Sequence, residues 1–199
     1  MKRLAGDAVE VQQRLSDREV VRLLRLELST LQTQSGRRRV FLELFAGSGV
    51  IARSWRRHRF GPCMEFDVTK GAQYDLGRRC VQALLLEWAL GDLIEGLWVA
   101  FPCTTFSCAR KPALRTMAFL KGLPAQLEKG KEARQIKAGD GTLSAALWLA
   151  ALAIRFSIAA MFENPHSSLA WHDPRWARIR RHDSTSEQVL DYCRFGCPI

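Results

Sequence analysis

The sequence predicts an α/β protein built on a mostly parallel sheet with helices on both faces. Three observations carry this. In residues 41–49, FLELFAGSG, an apolar strand runs into a glycine-punctuated turn and then a helical segment. Gly47 and Gly49 let the backbone turn sharply and approach a ligand closely, because neither carries a Cβ. Further apolar strands end in unusual residues: Glu65 and Asp67, then Pro102 and Cys103, then Glu163 and Asn164. Segments of helical period lie between these strands, the alternation expected of parallel strands joined by crossovers.

In chain order, residues 7–33 read as one amphipathic helix. Val20, Leu24, Leu28 and Leu31 recur at helical spacing, with Arg18, Arg22 and Arg25 interleaved. This helix and its linker, residues 1–36, stand before a catalytic-type domain, residues 37–199. The first strand covers 40–45, and the helix after it, 50–59, carries Arg53, Arg56, Arg57 and Arg59. A second strand, 62–66, ends in acid, and 73–76 reads as a short third strand. The next helix, 78–90, lines up Val81, Leu84, Leu85 and Trp88 on one face. The strand 96–101 delivers Pro102 and Cys103. Residues 109–142 form a basic insertion punctuated by Gly122, Pro124, Gly130, Gly139 and Gly141, read as a long functional loop with at most a short helix. The helix 143–154, the strand 158–162, a basic helix 174–181 and a strand 187–195 complete the chain. The ending, DYCRFGCPI, reads as a strand cut short, so a C-terminally incomplete fold is expected.

At 199 residues one domain with a real core is expected. No apolar run reaches membrane-spanning length, and residues 1–10 lack the apolar centre of a signal peptide. Six cysteines occur without metal-ligand spacing, since Cys103 and Cys108 are five apart and Cys193 and Cys197 four apart. No metal and no membrane are expected, and reduced thiols point inside a cell: the nucleus in a eukaryote, the cytoplasm in a bacterium or phage host. Nothing indicates an assembly, so a monomer is expected. The net charge of +10 suits a polyanionic partner such as nucleic acid.

Ligands of open α/β sheets sit beyond the carboxyl ends of the strands, where Gly47, Glu65, Cys103 and Glu163 fall. Glu65 and Asp67 can accept hydrogen bonds from both hydroxyls of a ribose. Their opposite strand parity puts one of them on the ligand, with Glu65 favoured, and Asp75 can meet an adenine amino group. Cys103 follows a proline at a strand end, and the nearby Arg110 and Lys111 would favour its thiolate, the form that attacks as a nucleophile. Glu163 follows an apolar strand, where burial would raise its pKa and let it donate a proton to a ring nitrogen.

Phe45, Gly47 and Gly49, then Pro102 and Cys103, then Glu163 and Asn164, in that order, resemble the DNA cytosine-5 methyltransferases, Rossmann-like enzymes of the S-adenosylmethionine-dependent class. The resemblance covers residues 40–170. It implies that Phe45, Ala46, Gly47, Ser48, Gly49, Glu65, Phe66, Asp67, Asp75 and Pro102 hold S-adenosylmethionine. It implies that Cys103 is the nucleophile, that Glu163 and Asn164 form the acid motif, and that Ser107, Arg110, Lys111 and Arg115 contact DNA. It also implies a flipped cytosine, protonated at N3 by Glu163, attacked at C6 by Cys103 and methylated at C5. Thr104 stands where the family usually has glutamine, and Pro165 where it usually has valine. Three rival readings remain: a methyltransferase of RNA or another acceptor, a degenerate or truncated homologue that only binds nucleic acid, and a dinucleotide-dependent oxidoreductase.

Overall fold

The computed structural model describes residues 15–128 and 130–190. The chain divides into two compact units, Met1–Pro102 with Lys137–Asn164 and Cys103–Ile136 with Pro165–Ile199.

In the first unit, helix α1 (Asp17–Ser35) starts at a capping box. The Ser16 hydroxyl accepts the Glu19 amide at 3.3 Å, while the Glu19 carboxylate accepts the Ser16 amide at 2.8 Å. It ends at Gly36, whose left-handed backbone closes the last turn. Within the described residues the helix expected over 7–33 begins at Asp17; residues 7–14 of that expectation lie outside the described residues. Val20, Leu24 and Leu28 are buried, and α1 packs on the sheet and on α3 (Arg79–Leu90) within the first unit.

The sheet holds four parallel strands in the order β2 (Cys63–Phe66), β1 (Val40–Leu44), β3 (Ile94–Val99), β4 (Ala159–Phe162). The register places Leu44 beside both Phe66 and Val99, and Val99 beside Phe162, so all four carboxyl ends lie level. On one face, Ile51, Ala52 and Trp55 of α2 (Val50–Arg57) pack on Phe41, Cys63 and Trp98. On the other, Phe66 meets Tyr74 and Trp88 edge-on. The α/β fold with helices on both faces is thus as the sequence predicts. Strand β4 is the exposed edge.

Two elements differ from expectation. Residues 73–76 are not a strand: Ala72–Tyr74 form a 3-10 turn, held by Asp75 accepting the Gly77 amide at 2.8 Å. The insertion 109–142 carries more helix than expected, nearly half of its length. Helix α4 (Pro124–Leu127) interrupts it, and α5 (Lys131–Arg155) takes up its last third. The buried stripe of α5 runs back from Ala150, Ala146 and Leu143 through Gly139 to Ile136 at helical spacing, and this tertiary burial overrides the two glycines in its first half. Helix α6 (Pro174–Arg180) starts from the Asp173 cap. Of the expected last strand, residues 187–190 carry no regular structure, and 191–199 lie outside the described residues.

Candidate functional site

The turn between β1 and α2 is built around positive-φ residues: Phe45 at 59°, Gly47 at 49° and Gly49 at 67°. Its backbone is stapled on three sides. The Ala46 amide donates to the Phe66 carbonyl at 3.0 Å, the Gly49 amide to the Ala46 carbonyl at 2.7 Å, and the Gly47 amide to the Asp67 carboxylate at 2.8 Å. A side chain at Gly47 would meet nothing within 4 Å, so the space over this turn is open. Gly49 is different: a Cβ there would collide with the Glu65 carboxylate and crowd Lys70 at 3.0 Å. Ser48 is exposed, and Ala46 is buried under the turn.

Sequence reasoning missed Glu43. Its side chain is 4% exposed and accepts the Ala52 amide at 2.7 Å and the Ile51 amide at 3.3 Å. A protein carboxylate thus fills the N-terminus of α2, where a bound phosphate would otherwise sit. The available signal was an acid inside an otherwise apolar strand, two residues before the turn.

Glu65 is the register partner of Glu43 and lies on the same sheet face, held by Arg56 and Lys70. Burial pushes its pKa up, but Lys70 and Arg56 overcome this and hold it below the usual value. Asp67 is spent on structure: it accepts Gly47 on one oxygen and, on the other, the Thr69 amide at 2.9 Å and the Thr69 hydroxyl at 2.5 Å. These bonds keep its pKa low against the upward push of burial. Asp75 caps its own turn. The Phe66 side chain is fully buried between Tyr74 and Trp88, so it is core and presents no surface to a ligand; only its carbonyl serves the turn.

Beyond β3 and β4, Asn164 donates to the Phe101 carbonyl at 2.6 Å and so fixes the backbone leading to the exposed Pro102. The Asn164 Oδ1 atom is buried and accepts no hydrogen bond among the described residues. The Glu163 amide donates to the Val99 carbonyl at 2.9 Å, and burial raises the Glu163 pKa as the sequence predicts.

Cys103 belongs to the second unit, where it is half-buried and free, and its carbonyl accepts the Phe106 amide at 2.8 Å. The four residues expected on DNA separate into two kinds. Arg115 is 3% exposed: it donates to the Leu120 carbonyl at 2.6 Å and the Ile136 carbonyl at 2.8 Å, and covers the Phe106 ring at 4.1 Å. It is an internal strut and cannot reach a phosphate. Arg110 is half-buried and donates to Gln135 at 2.8 Å, and Ser107 accepts the Ala109 amide at 3.2 Å in a tight turn. Lys111 is exposed. Trp176 is buried and meets Trp171 edge-on at 5.2 Å, as expected of packing residues.

Among the described residues no His, Cys, Asp and Glu group could hold a metal ion, and no helix is long and apolar enough to cross a membrane. Fold and site together define a Rossmann-like α/β protein with a glycine turn at the carboxyl edge of its sheet. No family model, curated protein or solved structure matches the chain.

Proposed function

We propose that this protein transfers a methyl group from S-adenosylmethionine to C5 of cytosine in DNA through a covalent cysteine adduct. The observation that carries the cofactor part is the pairing of an open glycine turn with an α2 N-terminus already capped by Glu43. A dinucleotide would set its pyrophosphate at that helix end, where Glu43 repels it. A nucleoside cofactor without phosphates has no such conflict, so the oxidoreductase reading falls away.

The residues present fit such a cofactor. The open space over Gly47 suits its amino-acid end. Glu65 keeps a lone pair on each oxygen for ribose hydroxyls after accepting Arg56 and Lys70. When bound, the cofactor supplies an electrophilic methyl group.

The chain's own side chains do the rest. The Cys103 thiolate forms a bond to cytosine C6 as the ring electron pair moves toward N3, which takes the proton held by Glu163. C5 then carries the electron pair that takes the methyl group. Loss of the C5 proton to a base, expulsion of the thiolate and return of the N3 proton to Glu163 restore the neutral aromatic ring and free Cys103. Asn164 positions the Phe101 carbonyl ahead of Pro102, and its unpaired Oδ1 can accept a donor from the base.

The test is trapping on pooled oligonucleotides that carry 5-fluorocytosine, with S-adenosylmethionine present. Fluorine at C5 blocks the final elimination. The reading expects a denaturation-resistant adduct that is absent with Cys103→Ala. Cofactor binding without an adduct points to RNA or another acceptor.

A second reading is favoured by one observation. Glu65 is already neutralised by two protein cations, the arrangement expected of a homologue that has lost its cofactor and only binds nucleic acid. Salt-sensitive DNA binding without cofactor binding would establish it.

A further inference from the structure

The strands are parallel, so the edge opposite the glycine turn gathers their amino ends. Helix α2 returns the chain to that edge: Phe41 pairs with Cys63 in register, and the Phe41 amide donates to the Pro62 carbonyl at 3.0 Å, so residues 58–62 lie there. Between positions 37 and 60 the sequence has seven arginines and one acid, and that acid, Glu43, is buried in the α2 cap. No carboxylate of this segment offsets its surface charge.

Five of the seven arginines have protein partners, Arg37 among them. Arg38 donates to the Gly91 carbonyl and Arg53 to the Ser48 carbonyl, while Arg39 pairs with Asp92 and Arg56 with Glu65. Arg57 and Arg59 are exposed and make no side-chain hydrogen bond or ion pair among the described residues. Arg37 is held against the Phe60–Gly61 backbone by a built device. Its guanidinium donates to the Phe60 carbonyl at 2.5 Å, and the absence of a side chain at Gly61 leaves it room, since a Cβ there would lie 2.9 Å from Arg37. One donation leaves most of its five N–H groups for another acceptor.

A column of rings rises through the same place. Trp55 stacks on Phe41 at 4.0 Å, Phe60 meets Trp55 edge-on at 5.2 Å, and His58 stacks on Phe60 at 5.6 Å. Phe41 belongs to the core, whereas Phe60 at the top is 55% exposed and His58 is exposed. An aromatic surface held from below, with the Arg37 guanidinium on the Phe60 carbonyl and the exposed Arg57 and Arg59 one to three residues away in the chain, has two complementary needs: a flat apolar ring and a chain of anions.

We propose that this edge binds single-stranded nucleic acid, with Arg37, Arg57 and Arg59 on backbone phosphates and the exposed faces of Phe60 and His58 stacking an unpaired base. A duplex keeps its bases stacked internally and gains only the phosphate contacts. The surface lies at the edge opposite the glycine turn and does not depend on the methyl-transfer reading.

The test is fluorescence anisotropy of the full chain with a short labelled single strand of mixed sequence, and with its duplex. Arg57→Gln combined with Arg59→Gln lowers single-strand affinity about tenfold or more and cuts the slope of log K against log salt by about 1.4, since each phosphate neutralised on a single strand contributes roughly 0.7. Phe60→Leu lowers affinity by about five- to a hundredfold with the slope unchanged, while Phe60→Trp keeps binding and shows that a stacking face, not the fold, is what leucine removes. Arg18→Gln combined with Arg22→Gln, the same charge change on exposed positions of α1, leaves both quantities at the parent values. The proposal is overturned by any of four results: no effect of the Arg57 and Arg59 changes, an equal loss in the α1 control, parent-like binding by Phe60→Leu, or a duplex bound as tightly as the single strand. It is equally overturned if the two arginines prove necessary only for binding to anionic phospholipid vesicles, with oligonucleotide binding intact.

Discussion

The Glu43 carboxylate accepts the Ala52 amide at 2.7 Å from beneath the first turn of α2, so a buried acid of the first strand caps the helix that follows it. Hydrogen bonds to a charged group contribute about 1.5–3 kcal/mol each, and Glu43 also accepts the Ile51 amide. Glu43→Ala is therefore expected to cost about 2–3 kcal/mol in urea unfolding at an unchanged m-value, and Glu43→Gln, which keeps one acceptor, less. Emptying the cap also reopens an anion site. Sulfate should raise the melting temperature of Glu43→Ala more than that of the parent, and an equal rise in both would refute the capping role.

Arg115 separates a structural arginine from a phosphate contact. Its guanidinium ties the Leu120 and Ile136 carbonyls together over Phe106 inside the second unit. Arg115→Ala leaves those buried carbonyls without partners and is expected to destabilise by about 3 kcal/mol. Lys111→Ala, at an exposed position, is expected to leave stability within about 0.5 kcal/mol of the parent. In DNA-binding titrations only Lys111→Ala should lower the salt slope, by roughly 0.9. A slope change in Arg115→Ala at temperatures where it is folded would return Arg115 to the DNA surface.

What the sequence made legible follows from what period and motif encode. The strand-turn-helix at residues 41–49 was readable because its glycines occupy the positive-φ positions the turn requires. The raised pKa of Glu163 was readable because an acid after an apolar strand is desolvated wherever that strand packs. Helix α5 was lost for the opposite reason: its first half is polar and carries Gly139 and Gly141, and only the burial of Ile136 and Gly139 joins it to the apolar half. The fates of Asp67 and Arg115 were invisible because both depend on backbone groups brought near by the fold, Gly47 in one case and Leu120 and Ile136 in the other. Residue type indicates what a side chain can bond, and local geometry decides whether those bonds are already taken.

The two acids at the end of β2 should therefore respond differently to neutralisation. Under the proposed reading Glu65 accepts ribose hydroxyls, and Glu65→Gln lowers S-adenosylmethionine affinity about tenfold or more, the equivalent of one charge-assisted hydrogen bond. Asp67→Asn acts on the turn instead: it loses an acceptor for the Gly47 amide or for Thr69 and costs about 1–2 kcal/mol of stability. Calorimetric titration together with thermal melts distinguishes them. Parent affinity in Glu65→Gln would remove Glu65 from the cofactor site and favour the reading in which Arg56 and Lys70 simply neutralise it.

Glu163 links stability and activity through one proton. Burial raises its pKa above the ordinary 4.5, so the native state holds this proton more tightly than the unfolded chain does. Its stabilising contribution is complete below about 4.5 and is lost as pH rises through the raised value, because the unfolded chain gives up the proton first. Glu163→Gln cannot ionise. Its stability relative to the parent should therefore increase with pH across that window and level off above it, which denaturant melts at several pH values would measure. The same proton is the one donated to cytosine N3 in the proposed reaction, so the rate of 5-fluorocytosine trapping should fall on the alkaline side of the same pKa. Glu163→Gln should lower that rate by about 10²–10⁴-fold, the usual contribution of a positioned acid, and abolish the alkaline limb. A variant that is more stable at neutral pH yet traps at the parent rate would separate the two effects and leave Glu163 a buried acid without a catalytic role.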